Sequence, residues 1–388
     1  TNALPFSETY LNQYTTSQYG DVMLICHPLF APRVLLRTSL TTFEIQVFSF
    51  DTRADGNIIY QPYSVFHAAN VTLNPSATTG TGITIVTSTD YFDTTGSLTG
   101  SDYLSSLHVG VVLRYGDTEI TITSVQSATS VTGDVTDELR LRLQILNPLR
   151  TIESSTAVEV THIAHGFSGG EAITLEEASA TGGVSAANLN GARTVGDIID
   201  DNTYTITAGA SATDSADGGG YVKIVTHAPT TQWSEQSFSA KRGYPAAVVF
   251  HESRLIFGGT VDQPDAIWMS KSGQFFNFDT GTAADADSIQ ISIATGDVNE
   301  IRYLVSNRDL QVFTASSELY VPSYLNQVIT PTNVQFKQQT PFGCTFVNPE
   351  SLDGATLFFQ AGGKVLREYL YTDGENAYSS VAVSTIAS

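Results

Sequence analysis

A serine at position 168 has the spacing of a hydrolase nucleophile. The segment HGFSGG places Gly166, Ser168 and Gly170 in a G-x-S-x-G pattern, which presents a serine oxygen on a sharp turn from a strand into a helix. His227 or His251 would have to supply the general base. The residues that follow, EAITLEE, alternate between apolar and polar as a second strand does. We therefore expect a glycine-rich β-turn here and no catalytic serine.

Two aspartate motifs lie in the second half of the chain. FDTGT at 278–282 spells the active loop of an aspartic protease, in which two carboxylates share one proton. The sequence holds no second D-T-G, so we expect Asp279 to cap backbone N–H groups in a turn. Asp285 and Asp287 alternate as calcium ligands do, but the twelve-position loop with a central glycine and a final glutamate is missing. We expect a solvated loop and no metal site.

Histidines offer a third source of acid–base or metal chemistry. His162 and His165 lie three apart in a run that reads as a strand, so their side chains should point to opposite faces. His251 and Glu252 fall in a hairpin turn without a helical H-E-x-x-H pattern. The sequence predicts that both pairs are polar surface residues. It predicts no catalytic, cofactor-binding or metal-binding residue, and no enzyme.

Aromatic side chains are the last candidates for a binding site. Trp268, Phe275, Phe276 and Phe278 could form a platform on which sugar rings stack. Their places within a repeated strand pattern favour packing in a core instead. We expect no sugar platform.

The elements that carry most of these residues repeat along the chain. HESRLIFGG around Leu255, SNRDLQVFT around Leu310 and AGGKVLREY around Val365 share a polar turn that leads into an apolar strand, at steps of 55 residues. DVMLIC and RVLLRT, which flank HPLFAP, form a looser copy near the N-terminus. A period near 50 residues built from short strands is typical of propeller blades, which bury their faces against one another.

This pattern predicts an all-β chain with two insertions. A β-propeller-like core of repeated small antiparallel sheets takes residues 1–63 and 228–388. An inserted β module takes 64–150, and a second inserted β module, acidic and rich in Gly and Ala, takes 151–227. No apolar run approaches the ~18–20 residues of a membrane-spanning helix, so we expect no membrane span.

The net charge argues against one class of function, and the two cysteines suggest no disulfide or metal site. The 388 residues include 18 basic and 39 acidic side chains, a formal net charge of −21. Such an excess argues against a surface that grips nucleic acid through its phosphates. Cys26 and Cys344 both lie in apolar surroundings, which predicts two buried free thiols.

The repeated stretch resembles a known family. RGYP, RLIFGGT, QPDAIWMSKSGQFFNFDTG and ADSIQISIATGDVNEIRYLVSNRDLQVFTASSELYV follow one another as in the tail nozzle proteins of short-tailed bacteriophages, also called tail tubular protein B. QYGDVMLICHPLFAPRVLLRT is similar to the opening of that family. The resemblance covers residues 10–62 and 233–372. Family members usually continue past the position of Ser388, and this chain begins without Met, so we expect a fragment.

The resemblance implies a structural virion protein that is made in the host cytoplasm. In the family, six copies form a ring around the channel through which the genome is ejected. The ring is attached to a tail adaptor protein and accompanied by tail fibres or spikes. DNA passes without specific binding, and an acidic wall would suit that passage. The alternatives are a tail-associated polysaccharide depolymerase, which needs paired carboxylates, and a host-receptor glycan-binding protein. The module at 151–227 could bind a receptor alongside the nozzle role.

Overall fold

The computed structural model describes residues 8–95, 98–99, 102–103, 106–163, 165–226, 229–293, 299–322 and 328–384. The all-β prediction with repeated small antiparallel sheets is confirmed, since the described chain is built almost wholly of short antiparallel strands. Its helices are the 3-10 helix Glu8–Gln13 and the single turn Ala186–Leu189. Contacts divide the chain into two compact units, one formed by Thr1–Pro62 and Ser237–Ser388 and the other by Tyr63–Gln236.

The first unit contains four four-stranded sheets, called sheets I to IV in chain order. In each of them, strands that follow one another along the chain are hydrogen-bonded neighbours. Their strands are Thr15–Tyr19, Val22–His27, Phe30–Arg37 and Phe43–Val47 in sheet I; Ala247–His251, Arg254–Gly258, Ala266–Met269 and Ile289–Ser292 in sheet II; Ile301–Ser306, Leu310–Thr314, Glu318–Val321 and Lys337–Thr340 in sheet III; Glu350–Leu352, Ala355–Phe359, Leu366–Thr372 and Ala377–Ala382 in sheet IV.

Three apolar layers hold these sheets face to face. The layer between sheets I and II is rich in aromatic rings, the layer between II and III is aliphatic, and the layer between III and IV is dominated by tyrosines. Sheets II and III are therefore buried on both faces, which explains the continuous burial of the strands Arg254–Gly258 and Leu310–Thr314. Representative members of the three layers are Leu24, Val34, Phe257 and Trp268; Ile256, Met269, Val312 and Leu319; and Phe313, Phe358, Tyr369 and Tyr378.

Two of the four repeat copies are offset by one strand from their predicted positions. Leu255 and Leu310 lie in the second strand of sheets II and III, whereas Val365 precedes the third strand of sheet IV. The turn that matches Glu252–Ser253 is Asp353–Gly354, where both residues again have positive φ. In sheet I, HPLFAP likewise joins the second and third strands instead of the first and second. A meander contains a hairpin at every step, so spacing alone does not identify which hairpin is being matched.

The second unit contains three sheets. A nine-stranded sheet carries Tyr63–Ser64, Leu73–Pro75, Gly80–Thr87, Leu98–Thr99, Asp102–Tyr103, Val112–Tyr115, Thr118–Ser127, Ser130–Val135 and Trp233–Gln236. A four-stranded sheet carries Leu141–Leu146, Ala172–Glu176, Gly191–Thr194 and Tyr221–Thr226, and a five-stranded sheet carries Leu149–Thr151, Ala157–Thr161, Ile198–Asp200, Thr203–Thr207 and Asp217–Gly218. These two smaller sheets enclose one core, which includes Val158, Leu175, Tyr204 and Ile224.

The sheets change at different residues from the predicted module boundaries. Leu141–Leu146 pairs with Tyr221–Thr226, so the smaller sheets begin near residue 141 and not at 151. Trp233–Gln236 pairs with Val112–Tyr115 and with Tyr63–Ser64, so the chain returns to the first unit after 236 and not at 228. Both differences arise because strand pairing is non-local, whereas the composition shift used to place the boundaries is local.

Candidate functional site

The predicted turn at Ser168 lies between strands and is closed by a carboxylate. The side chain of Glu171 accepts backbone N–H groups of Ser168 and Gly169, at 2.7 and 2.8 Å. Burial opposes the charge on Glu171, but these hydrogen bonds outweigh it and hold its pKa below the usual value. The chain then continues directly into the strand Ala172–Glu176. Ser168 is therefore an exposed turn residue; the proposed base His227 lies outside the described residues.

His162 and His165 are buried, so the prediction that they are surface residues is wrong. His165 accepts the N–H of Phe167 at Nδ1, 2.9 Å away, so its Nε2 carries the proton and donates to the carbonyl of Asp200 at 3.0 Å. Burial, helped by His165, lowers the pKa of His162 to about 4. Both rings pack against Phe167 and Tyr204. They serve as aromatic core residues, and their ring centroids are 6.1 Å apart.

His251 is also buried, again against prediction. Its Nδ1 lies 2.9 Å from the hydroxyl of Ser306, which joins the first strands of sheets II and III. Burial lowers its pKa and favours the neutral ring. Glu252, next in the chain, is exposed in the turn with a φ of 44°.

Asp279 and Asp287 flank one lysine. The Nζ atom of Lys271 lies 3.1 Å from the Asp279 carboxylate and 3.3 Å from that of Asp287. Asp287 also accepts backbone N–H groups of Thr282 and Ala284, at 3.0 and 2.9 Å. The backbone hydrogen bond from Ala284 leads the effects that lower the pKa of Asp287. The predicted cap exists, but Asp287 makes it and Asp279 forms an ion pair.

A buried arginine anchors the same loop. Arg254 is 1% exposed, and its guanidinium donates to the carbonyl oxygens of Ser270, Asp285 and Asp287 at 2.6 to 2.8 Å. Asp285 is exposed, as a solvated loop predicts. Within the part of the chain that the structure describes, no group of three His, Cys, Asp or Glu side chains could hold a metal ion.

The aromatic candidates pack in the core, as the repeat pattern predicts. Trp268 is fully buried and meets Phe238 edge-on at 4.8 Å. Phe278 stacks on Phe257, and Phe275 and Phe276 are half-buried in the same layer. Cys26 and Cys344 are buried free thiols, as predicted, and burial raises the pKa of each.

Two buried carboxylates escaped the sequence analysis. In the second unit, Glu235 accepts the Tyr91 hydroxyl and lies 3.7 Å from Nε2 of His108, with both Glu235 and His108 fully buried. In sheet III, Glu318 is fully buried and one of its oxygens has no hydrogen-bond partner. Neither residue stands in a recognisable motif, and Tyr91 is 144 residues from Glu235, so no local signal could have paired them.

The first strands of sheets I to IV border a common cavity of about 200 Å³. This is the place where the axis of a propeller lies. Among the described residues that line it, Thr15, Thr16, Asn348 and Glu350 contribute polar groups and Tyr303 contributes a ring. The cavity is therefore polar and carries one carboxylate from these residues.

Comparisons with known proteins add little. No protein-family model and no curated protein matches the chain. Among solved structures, an endosialidase of phage phi92 is similar, with 13% identity and a TM-score of 0.24 over 96% of this chain. The chain spans 55% of that protein. Across the described residues, the helices are too short to cross a membrane.

Proposed function

We propose that this chain is a structural subunit of a short phage tail and forms the tubular nozzle through which the genome is ejected. The supporting observation is a coincidence of sequence and structure. The two segments that resemble nozzle proteins, 10–62 and 233–372, fall almost wholly within one compact unit, although 174 residues of the other unit separate its two parts. The resemblance thus follows a physical unit of the fold.

The packing of that unit suits a mechanical role. Three apolar layers hold four sheets face to face, and Asp279, whose motif resembled that of an aspartic protease, has a structural partner. Lys271 pairs with Asp279, and the backbone N–H groups of Thr282 and Ala284 donate to Asp287. Within an assembled tail, we propose six copies around an axial channel, docked on an adaptor ring.

The test is to locate the protein in purified particles. An epitope tag inserted after Gly56, in an exposed turn, should place the label around the axis of the tail tip. Esterase, protease and glycan-release assays should stay at background, and Ser168→Ala or Asp279→Asn should not change them. A label on lateral spikes, with release of reducing sugar from host polysaccharide, would favour the depolymerase alternative.

A further inference from the structure

The outward face of sheet IV is rich in apolar side chains, and most of them remain partly or largely exposed. Alternate residues of a strand share a face, and the register puts Leu352, Leu357, Phe359, Leu366, Leu370 and Val381 on the face opposite Tyr369 and Tyr378. None of these six side chains is buried, and Leu352 and Val381 are 57% and 58% exposed. Glu350 and Glu368 lie on the same face.

Sheet I has a matching face. Its register puts Met23, Ile25, Leu35, Phe43, Ile45 and Val47 opposite the buried Leu24 and Val34. None of the six is buried, and Phe43 is 60% exposed. A groove of about 220 Å³ runs beside Met23, Leu35 and Phe43. The charged side chains of this face are Arg33 and Arg37, and Asp21 pairs with Arg37 at its edge.

The interior of the unit shows what covers such a face. Sheet I packs on II, II on III and III on IV, each time with the apolar face of one four-stranded sheet against the apolar face of the next. The two outward faces are the ends of this row. Each end face therefore resembles in composition the faces that pack against a neighbouring sheet inside the unit, but no second sheet of the described residues packs on it.

Charge decides which ends meet. A contact between two sheet I faces would bring together only arginines among the charged side chains of the two faces, and a contact between two sheet IV faces would bring together only glutamates. Sheet I against sheet IV brings arginine towards glutamate. We propose that these faces form a head-to-tail interface between two copies of this chain, sheet IV of one copy covering sheet I of the next.

A head-to-tail contact of this kind can repeat, and it closes into a ring when the rotation allows. The proposed contact would supply the interface of the proposed nozzle. Only its closure into a ring depends on the proposed function. The contact itself rests on the packing of the sheets.

Two variants test it by mixing. Val47→Asp and Val381→Asp each put a charge into one face, and both positions are exposed, so the chains should fold. Sedimentation should show that wild type associates, most strongly at ~1 M salt, where screening to about 3 Å weakens the repulsion between highly acidic copies. Each variant alone should be monomeric. Their mixture should form dimers and nothing larger, because one intact face remains on each copy.

Val86→Asp is the matched control, since Val86 is 41% exposed on a strand of the other unit and should leave association unchanged. Val47→Cys mixed with Val381→Cys should cross-link far more than either alone, because both native thiols are buried. A wild type that stays monomeric at high concentration and high salt would overturn the inference and point to a further sheet of a longer chain as the occupant. Self-association of Val381→Asp alone would overturn it in favour of a symmetric contact.

These outcomes separate the inference from the proposed function. An axial ring in labelled tails without the Val47–Val381 cross-link would leave the nozzle and remove this interface. If the label lay on lateral spikes and the purified protein still associated head to tail, the interface would stand and the nozzle function would be ruled out.

Discussion

Glu318 is a buried acidic residue whose protonation should affect stability. It is fully buried between sheets III and IV; Thr340 donates its hydroxyl to one carboxyl oxygen at 2.5 Å, and the N–H of Phe342 lies 3.4 Å from the same oxygen. Burial raises its pKa to about 7, although Arg367 and these hydrogen bonds oppose the shift. The folded protein therefore holds this proton more tightly than the unfolded chain, whose value is 4.5.

We expect Glu318→Gln to remove a pH dependence of stability. In wild type this residue stabilises the fold fully below pH 4.5, and the contribution is lost as the pH rises to about 7. The total is roughly 3 kcal/mol. The variant should match wild type in acid and unfold at higher urea concentration than wild type at pH 8. Glu300→Gln, at an exposed position before sheet III, is the control. If the stability of Glu318→Gln changed with pH as steeply as that of wild type, the pH dependence could not be assigned to Glu318.

The sequence identifies turn residues better than it assigns their partners. It correctly expects a turn at Ser168, but it assigns to Asp279 the capping role that Asp287 has, whereas Asp279 pairs with Lys271. It puts three histidines on the surface that the fold buries against aromatic rings or between strands. Whether a histidine ring is buried depends on strands that are distant in the sequence. The polarity of its neighbours in the chain does not indicate where those strands lie.

At the scale of elements, the repeat predicts the sheets of the first unit but misaligns two copies. The strands around Leu255 and Leu310 are confirmed, since each combines an apolar run with a polar turn. The second unit is harder to divide because its sheets mix strands from distant parts of the chain. Leu141 and Thr226 are register partners, although 85 positions separate them.

This pairing predicts which deletion the protein tolerates. Replacing 142–225 by a short Gly-rich turn should leave the nine-stranded sheet folded, because the cut ends are already neighbours. Replacing 151–227 removes Tyr221–Thr226 and leaves Leu141–Leu146 without its partner, so it should lower the melting temperature or cause aggregation. Circular dichroism during heating compares the two. Equal behaviour would mean that the smaller sheets are not a separable element.

At the scale of the whole molecule, the net charge controls how closely copies of the chain approach one another and DNA. A formal net charge of −21 should keep copies apart at low salt and repel DNA. Within the proposed nozzle, this repulsion would let the genome slide without specific binding.

We expect no retardation of double-stranded DNA in a gel, even at low salt, where cationic proteins bind most tightly. A basic DNA-binding protein serves as positive control. Salt-sensitive binding at micromolar protein would contradict the conduit and favour the alternatives.

The two tryptophans of the sequence fall one in each unit. Trp233 is buried in the core of the second unit, where its ring stacks on His67 at 4.0 Å, and Trp268 is buried between sheets I and II. Each indole leaves an apolar environment when its own unit opens. In Trp233→Phe the remaining Trp268 reports on the first unit, and in Trp268→Phe the remaining Trp233 reports on the second. The intrinsic fluorescence of the two variants would therefore show whether the units unfold together or one after the other.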